Sequence, residues 1–454
     1  MVYKPLKRPR NAPDFNTKGG MLIITVIDAI MGSGKSSAAI NYMNEHPTQK
    51  FVYITPFLDE VKRITDECRK IQMYEPVQRS EFRGSKVLHT LALVRNGCNV
   101  ATTHRAFMSY PPELLEAIRK QQYTLIIDED VDIIEKIDIK TGDLLLLEDA
   151  GWIYADENGE YHVSREVSEE TVRLTSHTDI LDVIRAHTVH KAEDPNEVNT
   201  TCFVWALPPE LITAFKDTYV LTYMFEGQSL KKMFDLYGLP YSFGGIRYQP
   251  ESGYHFADRP DYVPSYVPHI KEKIHLVDDE DRLNVFALDR RYRKKQQAVS
   301  AFSATWCRSK ANAGELQQLK NNLNTFMRRR FADVPASQKM WSSFESVRGS
   351  LKGKGYATGF ITYNQRATNK YRDRTHLAYC VNVYQHGSYQ QYYEQVGVPL
   401  TREEQDAFAL STMVQWVWRS AIRDGKDIWL YVPSARMRKL FTDWMDRLSR
   451  GEAK

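Results

Sequence analysis

The sequence predicts an α/β fold built from two units, each with a doubly wound parallel sheet. Apolar runs of strand length alternate along the chain with segments that have apolar residues at helical spacing. A chain of 454 residues is also too long for a single hydrophobic core. Residues 238–268 are rich in Pro, Gly, Tyr and Ser and divide the alternating pattern into two parts. We therefore expect these residues to be the linker.

The first unit is expected to span residues 21–237. Apolar runs predict strands at residues 21–27, 51–54, 99–101, 123–127, 204–207 and 219–221. Helical spacing predicts helices at residues 36–45, 58–73, 87–96 and 112–121. Residues 152–163 favour a β-hairpin that turns at Asp-Glu-Asn-Gly. Because a hairpin interrupts the α/β alternation, residues 138–200 are expected to be an insertion.

The second unit is expected to span residues 269–454. Strands are predicted at residues 273–277, 356–362, 377–383 and 428–432, with a basic insertion at about residues 289–350. This unit has no phosphate-binding motif of its own. Ligands of such sheets bind at the carboxyl ends of the strands, which is where the chemistry is expected.

Charge is concentrated at the N-terminus. The formal net charge is +4, and residues 1–20 account for it with five Lys or Arg against one Asp. The neutral remainder argues against a protein that binds nucleic acid by bulk charge, but not against a local basic groove. Residues 289–330 are the best candidate for that groove; a solvated helix face is the alternative. The basic tail is expected to be flexible or to contact a polyanion.

Cysteine spacing and hydropathy predict a cytoplasmic protein. The five cysteines lie far apart with no CxxC pair, which indicates thiols in a reducing compartment instead of a zinc site or a disulfide framework. No run reaches the roughly 18 apolar residues that a membrane helix needs. The N-terminus lacks the apolar core of a signal peptide.

A phosphate-binding motif follows the first predicted strand. Residues 29–36 have the sequence AIMGSGKS and follow the apolar run at residues 21–27. A buried strand that enters a glycine-bearing turn with Lys and Ser is typical of a triphosphate cradle. The backbone N–H groups of the turn and the positive end of the next helix face the phosphates. The expected nucleotide-binding residues are Gly32, Ser33, Gly34, Lys35, Ser36 and Ser37.

Two side chains of this motif have specific expected roles. Lys35 is expected to contact the β- and γ-phosphates, and the Ser36 hydroxyl to hold Mg²⁺. The first position is Ala29, where the common form of the motif has Gly; this costs little if the turn there does not need a positive φ. The motif leaves open whether the nucleotide drives motion, is a substrate or acts as a switch.

A pair of acids follows the strand predicted at residues 123–127. Asp128 would position Mg²⁺ through its water shell, which makes Ser36 and Asp128 the expected metal residues. Glu129 would orient and deprotonate the attacking water. Adjacent carboxylates after a strand are also common in exposed turns, but here they follow a phosphate-binding motif by roughly a hundred residues, as in ATPases.

Four ordered motifs resemble those of superfamily-two helicases of the DEAD/DEAH-like group: AIMGSGKS, then residues 53–56, 101–104 and 128–131. Residues 221–225 stand where that family has its Ser-Ala-Thr coupling motif. Residues 410–423 resemble its Gln-x-x-x-Arg motif. Together with residues 363–369 and 433–438, they look most like helicases encoded by tailed bacteriophages. The resemblance covers about residues 21–445 and implies two RecA-like domains that use ATP and Mg²⁺.

The resemblance also implies residue roles. Loops with the matching motifs touch the nucleic-acid backbone in relatives, so the expected contacts are Thr55, Pro56, Thr102, Thr103 and His104. The polar cluster after a predicted strand adds Asn364 and Arg366, which could line the strand-binding groove. His104 is favoured as a hydrogen-bonding loop residue over a general base.

The Gln-x-x-x-Arg motif matches Gln415 and Arg419. In the family, the first arginine reaches the γ-phosphate and an arginine finger stands seven residues after the Gln. In this chain that position is Ile422, and the arginine follows one residue later as Arg423. Arg423 is therefore the expected finger, with Arg419 as the alternative.

The resemblance and the motifs together predict an ATP-dependent helicase that translocates on single-stranded or forked DNA, in phage replication or recombination. RNA as a substrate and replication proteins as partners stay open, as does the oligomeric state. An ATP-driven duplex translocase and a nucleotide-switched DNA-binding or loader protein are the two alternatives. Unwinding of a forked substrate distinguishes a helicase from a duplex translocase. Phosphate release distinguishes a helicase from a nucleotide-switched binding or loader protein.

Overall fold

The computed structural model describes residues 23–168, 176–193, 200–259, 262–286, 297–364 and 370–452. Contacts divide the chain into two units. Unit 1 consists of Met1–Asp28, Lys35–Pro260 and Gln385–Glu404, and unit 2 of Ala29–Gly34, Asp261–Tyr384 and Gln405–Lys454. The predicted tail at residues 1–20 lies outside the described residues, as do Arg290, Arg291, Arg293, Lys294, Lys295 and Arg366.

Unit 1 is a mixture of strands and helices. Its strands are β1 Ile23–Asp28, β2 Phe51–Thr55, β3 Met73–Tyr74, β4 Asn99–Thr103, β5 Thr124–Asp128, β6 Ile134–Lys140, β7 Ile153–Ala155, β8 Glu160–Val163, β9 Val189–Glu193, β10 Thr200–Ala206, β11 Asp217–Thr222, β12 Ser242–Gln249 and β13 Gly253–Ala257. Its first helices are α1 Lys35–Glu45, α2 Leu58–Glu67, α3 Lys86–Arg95, α4 His104–Met108, α5 Pro112–Lys120 and α6 Thr141–Asp149. The chain continues with α7 Thr178–Ala186, α8 Glu210–Thr213 and α9 Ser229–Tyr237, and with short 3₁₀ turns at Ser80–Phe82 and Phe225–Gly227.

The large sheet of unit 1 confirms the predicted α/β class. Its strand order is β13-β12-β1-β11-β5-β2-β4-β3, and every neighbouring pair except β12 with β13 is parallel. Helices cover such a sheet on its faces, so its central strands read as continuous apolar runs. All five residues of β5 are buried accordingly.

The predicted insertion is a second, antiparallel sheet. Its strand order is β6-β10-β9-β8-β7, so it runs from residue 134 to residue 206 instead of 138–200. The predicted hairpin at residues 152–163 is confirmed: β7 pairs with β8, and Oδ1 of Asp156 accepts the N–H groups of Asn158 and Glu160 in the turn. The strand predicted at residues 204–207 is confirmed for residues 204–206, which belong to this second sheet. They lie at the end of β10, whose apolar pattern cannot distinguish one sheet from the other.

The expected linker at residues 238–268 is largely a hairpin of unit 1. Strand β12 pairs in parallel with β1 through Thr25–Ser242 and Ile27–Gly244. A Cβ at position 244 would stand 2.8 Å from Cδ1 of Ile27 and 3.1 Å from the Ala257 carbonyl oxygen, so any larger residue would have to displace its neighbours. Composition misled here because glycine in a strand also marks close packing of backbones, not only turns.

A distant part of the chain completes unit 1. Residues 385–404 contain α14 Gly387–Gln395, which packs on the antiparallel sheet. The Tyr392 hydroxyl accepts the N–H of Ala206 at 3.1 Å, and Gln395 Nε2 donates to the Lys191 carbonyl at 2.9 Å. We call residues 385–404 the strap. Neither composition nor periodicity indicated that this segment leaves the second half of the chain.

Unit 2 contains the remaining elements. Its strands are β14 Ile274–Leu276, β15 Lys339–Ser342, β16 His376–Tyr379 and β17 Ile428–Tyr431. Its helices are α10 Ile270–Lys273, α11 Ala304–Arg308, α12 Ala313–Asn324, α13 Glu345–Leu351, α15 Arg402–Val417, which begins in unit 1, and α16 Ala435–Ser449. A π-helix spans Thr325–Arg330, and 3₁₀ turns lie at Val267–His269, Lys310–Asn312, Ala336–Gln338, Ala357–Gly359 and Ala421–Asp424.

The sheet of unit 2 is also parallel, with the order β14-β17-β16-β15. Three of its strands were predicted. The strand predicted at residues 356–362 is wrong, since this segment holds a 3₁₀ turn and one bridge between Trp341 and Phe360. Of the basic insertion predicted at about residues 289–350, the structure describes residues 297–350. In this part β15 belongs to the sheet, and Leu319, Leu323 and Met327 are buried in the core of the unit.

Within the part of the chain that the structure describes, none of the helices has both the length and the apolar character needed to cross a bilayer. The five cysteines are free thiols, and all except Cys98 are buried.

Candidate functional site

The parallel sheet of unit 1 brings the strands that lead into five predicted motifs to one edge. Asp28, at the end of β1, is in register with Thr222 of β11, and Leu221 is in register with Asp128 of β5. Thr55 of β2 is in register with Thr103 of β4. The carboxyl ends of β1, β2, β4, β5 and β11 therefore form the candidate site, as expected for a doubly wound sheet.

The phosphate-binding motif has the backbone that its glycines predict. Gly32 and Gly34 have φ values of 74° and 83°, which glycine adopts without a steric penalty. The N–H of Ser33 donates to the Ile30 carbonyl at 3.2 Å, which closes the turn. Helix α1 then begins at Lys35. Ser33 is buried, with no hydrogen-bond partner for its Oγ among the described residues, and Ser37 is half-buried.

Residues Ala29–Gly34 of this motif belong to unit 2, and they contact Tyr266 of the same unit. The Tyr266 hydroxyl donates to the Met31 carbonyl, and the Tyr266 ring lies 3.7 Å from the position that a Cβ would take at Gly32. The same ring packs against Trp418, with 4.7 Å between ring centroids. No motif or periodicity indicated Tyr266, which stands in the stretch expected to be a linker.

The Asp128 carboxylate contacts two hydroxyl groups in the candidate site. Its Oδ2 accepts hydrogen bonds from Ser36 Oγ at 3.0 Å and from the Tyr53 hydroxyl at 2.6 Å. Burial raises the pKa of Asp128, while the two hydroxyl donors and the charge of Lys35 oppose the rise. The two predicted metal residues thus lie in direct contact. Tyr53 was not predicted as a site residue, because an aromatic residue in an apolar strand usually belongs to the core.

Lys35 and Glu129 lie near this carboxylate. Burial lowers the pKa of Lys35 to about 8, and the nearby charges of Asp128, Asp28 and Glu129 oppose that shift. Glu129 is half-buried and has a left-handed backbone with φ of 65°. Its N–H donates to the Leu221 carbonyl at 2.9 Å, which fixes this conformation to the neighbouring strand.

Two further carboxylates hold the loop that follows β11. Asp28 accepts the N–H groups of Met224 and Phe225 at 2.8 and 3.1 Å. Asp130 accepts the N–H groups of Ser229 and Leu230 at 3.0 and 3.1 Å, at the start of α9. Both acids therefore satisfy backbone donors that would otherwise lack partners. An acid immediately before the phosphate-binding motif was the available signal for Asp28.

Three of the residues expected to touch nucleic acid are buried. Thr55, Thr102 and His104 are 1%, 4% and 5% exposed, so they do not offer a surface to a backbone. His104 Nε2 instead lies 2.9 Å from the Asp128 carbonyl oxygen, which agrees with its expected role as a hydrogen-bonding residue. Thr103 caps α4 by accepting the Ala106 N–H at 3.4 Å. Pro56 and Thr103 are half-buried.

The Gln-x-x-x-Arg motif lies in unit 2, at the end of α15. Gln415 Nε2 donates to Ser411 Oγ at 3.4 Å, and Arg419 is 7% exposed. Ile422 is buried, whereas Arg423 stands exposed in the 3₁₀ turn that follows. The one-residue shift relative to the family pattern is therefore accompanied by an apolar core residue at the usual finger position. Asn364 is exposed.

Comparisons with known proteins identify a family. Residues 269–445 match the family model described as the YonV C-terminal Rossmann-like domain. The chain is 31% identical over 437 residues to the SPbeta prophage-derived uncharacterized protein YonV of Bacillus subtilis (strain 168), covering 93% of this chain and 98% of that protein.

The chain also has distant similarity to solved structures. The structure of S. tokodaii Xpd4 is 12% identical with a TM-score of 0.42, covering 94% of both chains. A hypothetical ATP-dependent RNA helicase from Sulfolobus tokodaii is 10% identical with a TM-score of 0.25, covering 93% of this chain and 90% of that chain. The DUF1998 helicase MrfA bound to DNA is 11% identical with a TM-score of 0.29, covering 94% of this chain and 49% of that chain. Similarity at this level carries no assignment of activity, whereas the match over nearly the full length of YonV does carry a relationship: this chain belongs to the YonV family.

Proposed function

We propose that the chain is an ATP hydrolase that uses ATP with Mg²⁺ to move along nucleic acid and separate its strands. The observation that carries the proposal is the contact between Ser36 of the phosphate-binding motif and Asp128 at the end of β5, 3.0 Å apart. A hydroxyl and a carboxylate in this arrangement, beside a lysine at the start of a helix, are the parts from which P-loop ATPases build their site.

The donor set fits magnesium and a triphosphate. Mg²⁺ prefers oxygen ligands and keeps several of its waters, and a hydroxyl next to a carboxylate suits that preference. The positive φ values of Gly32 and Gly34 direct the loop backbone as an anion cradle requires. Ser33 Oγ, buried without a partner among the described residues, is a further donor that a bound phosphate can satisfy.

Each residue has a defined task in this proposal. Ser36 and Asp128 would hold Mg²⁺, and the metal would supply neutralisation of phosphate charge. Lys35 binds the same phosphates and offsets their charge. Glu129, which is half-buried, accepts the proton of the attacking water. Arg419 and Arg423 are the candidates for binding the γ-phosphate, with Gln415 as a polar contact.

The nucleic acid is proposed to be single-stranded or forked DNA. YonV carries the words "SPbeta prophage-derived" in its name, which favours a role in phage replication or recombination in the host cytoplasm. Pro56, Thr103 and Asn364 are the expected contacts that keep some exposed surface. Arg328 and Arg329 of the π-helix are exposed basic residues of the 289–330 segment and add to this set.

Phosphate release from ATP with Mg²⁺ tests the proposal, measured with and without single-stranded DNA. We expect turnover that DNA stimulates, and separation of a labelled forked duplex under the same conditions. Turnover on duplex DNA without opening of the fork would support the translocase alternative. Nucleotide binding without any turnover would support the nucleotide-switched binding protein.

A further inference from the structure

Tyr53 is a buried residue whose polar atom faces the candidate site. It lies in the middle of β2 and is 0% exposed. Its hydroxyl donates to Asp128 Oδ2 at 2.6 Å, and Ser36 Oγ donates to the same oxygen at 3.0 Å. One carboxylate oxygen therefore receives two hydroxyl donors, the first from a neighbouring strand and the second from the phosphate-binding motif.

The position of Tyr53 is fixed by the sheet. Strand β2 lies between β5 and β4, and Tyr53 is in register with Ile126, two residues before Asp128. Every residue of both strands is buried, and Tyr53 is 0% exposed, so packing restricts the rotamer of the tyrosine. A hydrogen bond to a charged acceptor in such an environment is short and strong, and it restricts the orientation of the carboxylate.

We infer that Tyr53 is a positioning residue for the magnesium site. By engaging Oδ2 together with Ser36, it holds the Asp128 carboxylate in one orientation, and this orientation would serve a bound Mg²⁺. This inference rests on the proposed function. If Tyr53 had only a structural role in the core, its replacement by phenylalanine would leave the magnesium dependence of nucleotide binding unchanged. The magnesium dependence therefore distinguishes a positioning role from a structural role.

The test is the magnesium dependence of nucleotide binding. Tyr53→Phe removes the hydroxyl and keeps the ring. Binding of a fluorescent ADP analogue is measured by anisotropy, first in EDTA and then over a titration with MgCl₂. We expect the affinity in EDTA to equal that of the unaltered protein. The Mg²⁺ concentration at half-maximal enhancement is expected to rise about tenfold, the effect of losing one charge-assisted hydrogen bond.

Tyr123→Phe is the matched control. Tyr123 is also 0% exposed in unit 1, and its hydroxyl donates to the Cys98 carbonyl at 2.7 Å instead of to a site residue. We expect this variant to keep the magnesium dependence of the unaltered protein.

Three results would overturn the inference, and they differ in meaning. An unchanged magnesium titration in Tyr53→Phe, with normal binding by the unaltered protein, overturns the positioning role alone. A loss of affinity in EDTA as large as the loss in Mg²⁺ marks a structural role, including the case in which the variant fails to fold. Absence of nucleotide binding by the unaltered protein at every Mg²⁺ concentration overturns the proposed function as well.

Discussion

Glu129 has a backbone conformation that non-glycine residues adopt at a cost of about 1 to 3 kcal/mol. Its φ is 65°, and a hydrogen bond from its N–H to the Leu221 carbonyl maintains that conformation. Backbone strain concentrates at functional sites, where the surrounding structure holds a side chain in a required direction. Glu129 therefore has a strained backbone, lies near Lys35 and carries a carboxylate. These three properties together favour the role of general base.

Glu129→Gln is expected to separate binding from hydrolysis. Glutamine keeps the shape of the side chain but cannot accept the proton, so ATP binds with nearly unchanged affinity while turnover falls by about 10² to 10⁴. Nucleotide affinity and phosphate release, measured on the same preparation, check this. Glu135→Gln is the control, because Glu135 is half-buried on β6 and outside the acid pair. Equal loss of turnover in both variants would contradict the assignment.

His376 gives unit 2 a pH-dependent stability. It is 4% exposed on β16 and stacks on Trp429 at 4.8 Å between centroids. Burial, together with the charge of Lys339, lowers its pKa from 6.5 to about 4. Below pH 6.5 the unfolded chain therefore takes up a proton that the folded unit does not, and stability falls until about pH 4.

We expect unit 2 to lose about 2 kcal/mol between pH 7.5 and pH 5 because of His376 alone. Hydrogen exchange of the β16 amides at the two pH values measures the change. In His376→Gln the loss of stability between pH 7.5 and pH 5 should be smaller, whatever the stability of the variant at pH 7.5. His269→Gln is the control, since His269 is exposed; if it shrinks the dependence as much, His376 is not the cause.

At the scale of elements, a buried ion pair holds the strap to the rest of unit 1. Lys232 Nζ lies 2.7 Å from Glu404 Oε2, with side chains only 6% and 13% exposed. The same Nζ donates to the Pro399 carbonyl at 3.1 Å. Two contacts from one lysine of α9 thus hold the end of a segment that is distant in sequence.

Removing one member of this pair is expected to loosen the strap. Lys232→Met leaves the Glu404 carboxylate buried without its cation, at a cost of about 3 to 5 kcal/mol. Limited proteolysis within residues 385–404 should become faster. The double variant Lys232→Met with Glu404→Leu should recover most of the loss, because apolar residues replace both charges. Lys271→Ala, which breaks the exposed pair with Asp446, should have almost no effect. No recovery in the double variant would contradict this account.

The π-helix of unit 2 is the described part of the basic segment that has the densest charge. Arg328 and Arg329 are exposed, while Arg330 is paired with Asp281 at 2.7 Å. An arginine that is open to solvent can neutralise a phosphate and release its counterion, whereas one held by a carboxylate must first give up that partner.

Arg328→Glu combined with Arg329→Glu is therefore expected to weaken binding of single-stranded DNA and to make it less dependent on salt, with a log–log slope smaller by about 1 to 2. Fluorescence anisotropy at several KCl concentrations measures both quantities. Arg69→Glu with Lys70→Glu changes the net charge equally on an exposed part of unit 1 and serves as the control. If both pairs weaken binding equally, the effect is one of bulk charge.

At the scale of the whole molecule, the sequence predicted the elements that have the strongest patterns. Strands β2 and β5 are fully buried and largely apolar, and β1 and β4 are partly so. The motifs at their carboxyl ends are enough to identify the edge of the sheet that holds the candidate site. Tyr53 was not predicted as a site residue because its apolar neighbours in the sequence indicate only burial. Asp28 escaped because its partners are backbone groups of a loop almost two hundred residues away in sequence.

The elements that were not predicted have long-range or ambiguous causes. The pairing of β12 with β1 depends on the close approach at Gly244, which composition presents as a linker. The antiparallel sheet and the main sheet use similar apolar strands, so β10 could be assigned to either. The strap joins unit 1 through Tyr392 and Glu404, contacts that no local pattern encodes.

The most direct measurement is phosphate release from ATP with Mg²⁺ by the unaltered protein and by Lys35→Ala, each with and without single-stranded DNA. Lys62→Ala, which removes an exposed lysine of α2, is the control. We predict turnover that DNA stimulates in the unaltered protein and in Lys62→Ala, and none above background in Lys35→Ala with its fold intact. Equal turnover in Lys35→Ala, or no turnover in any of the three proteins, would contradict the assignment of an ATP hydrolase site to this edge of the sheet.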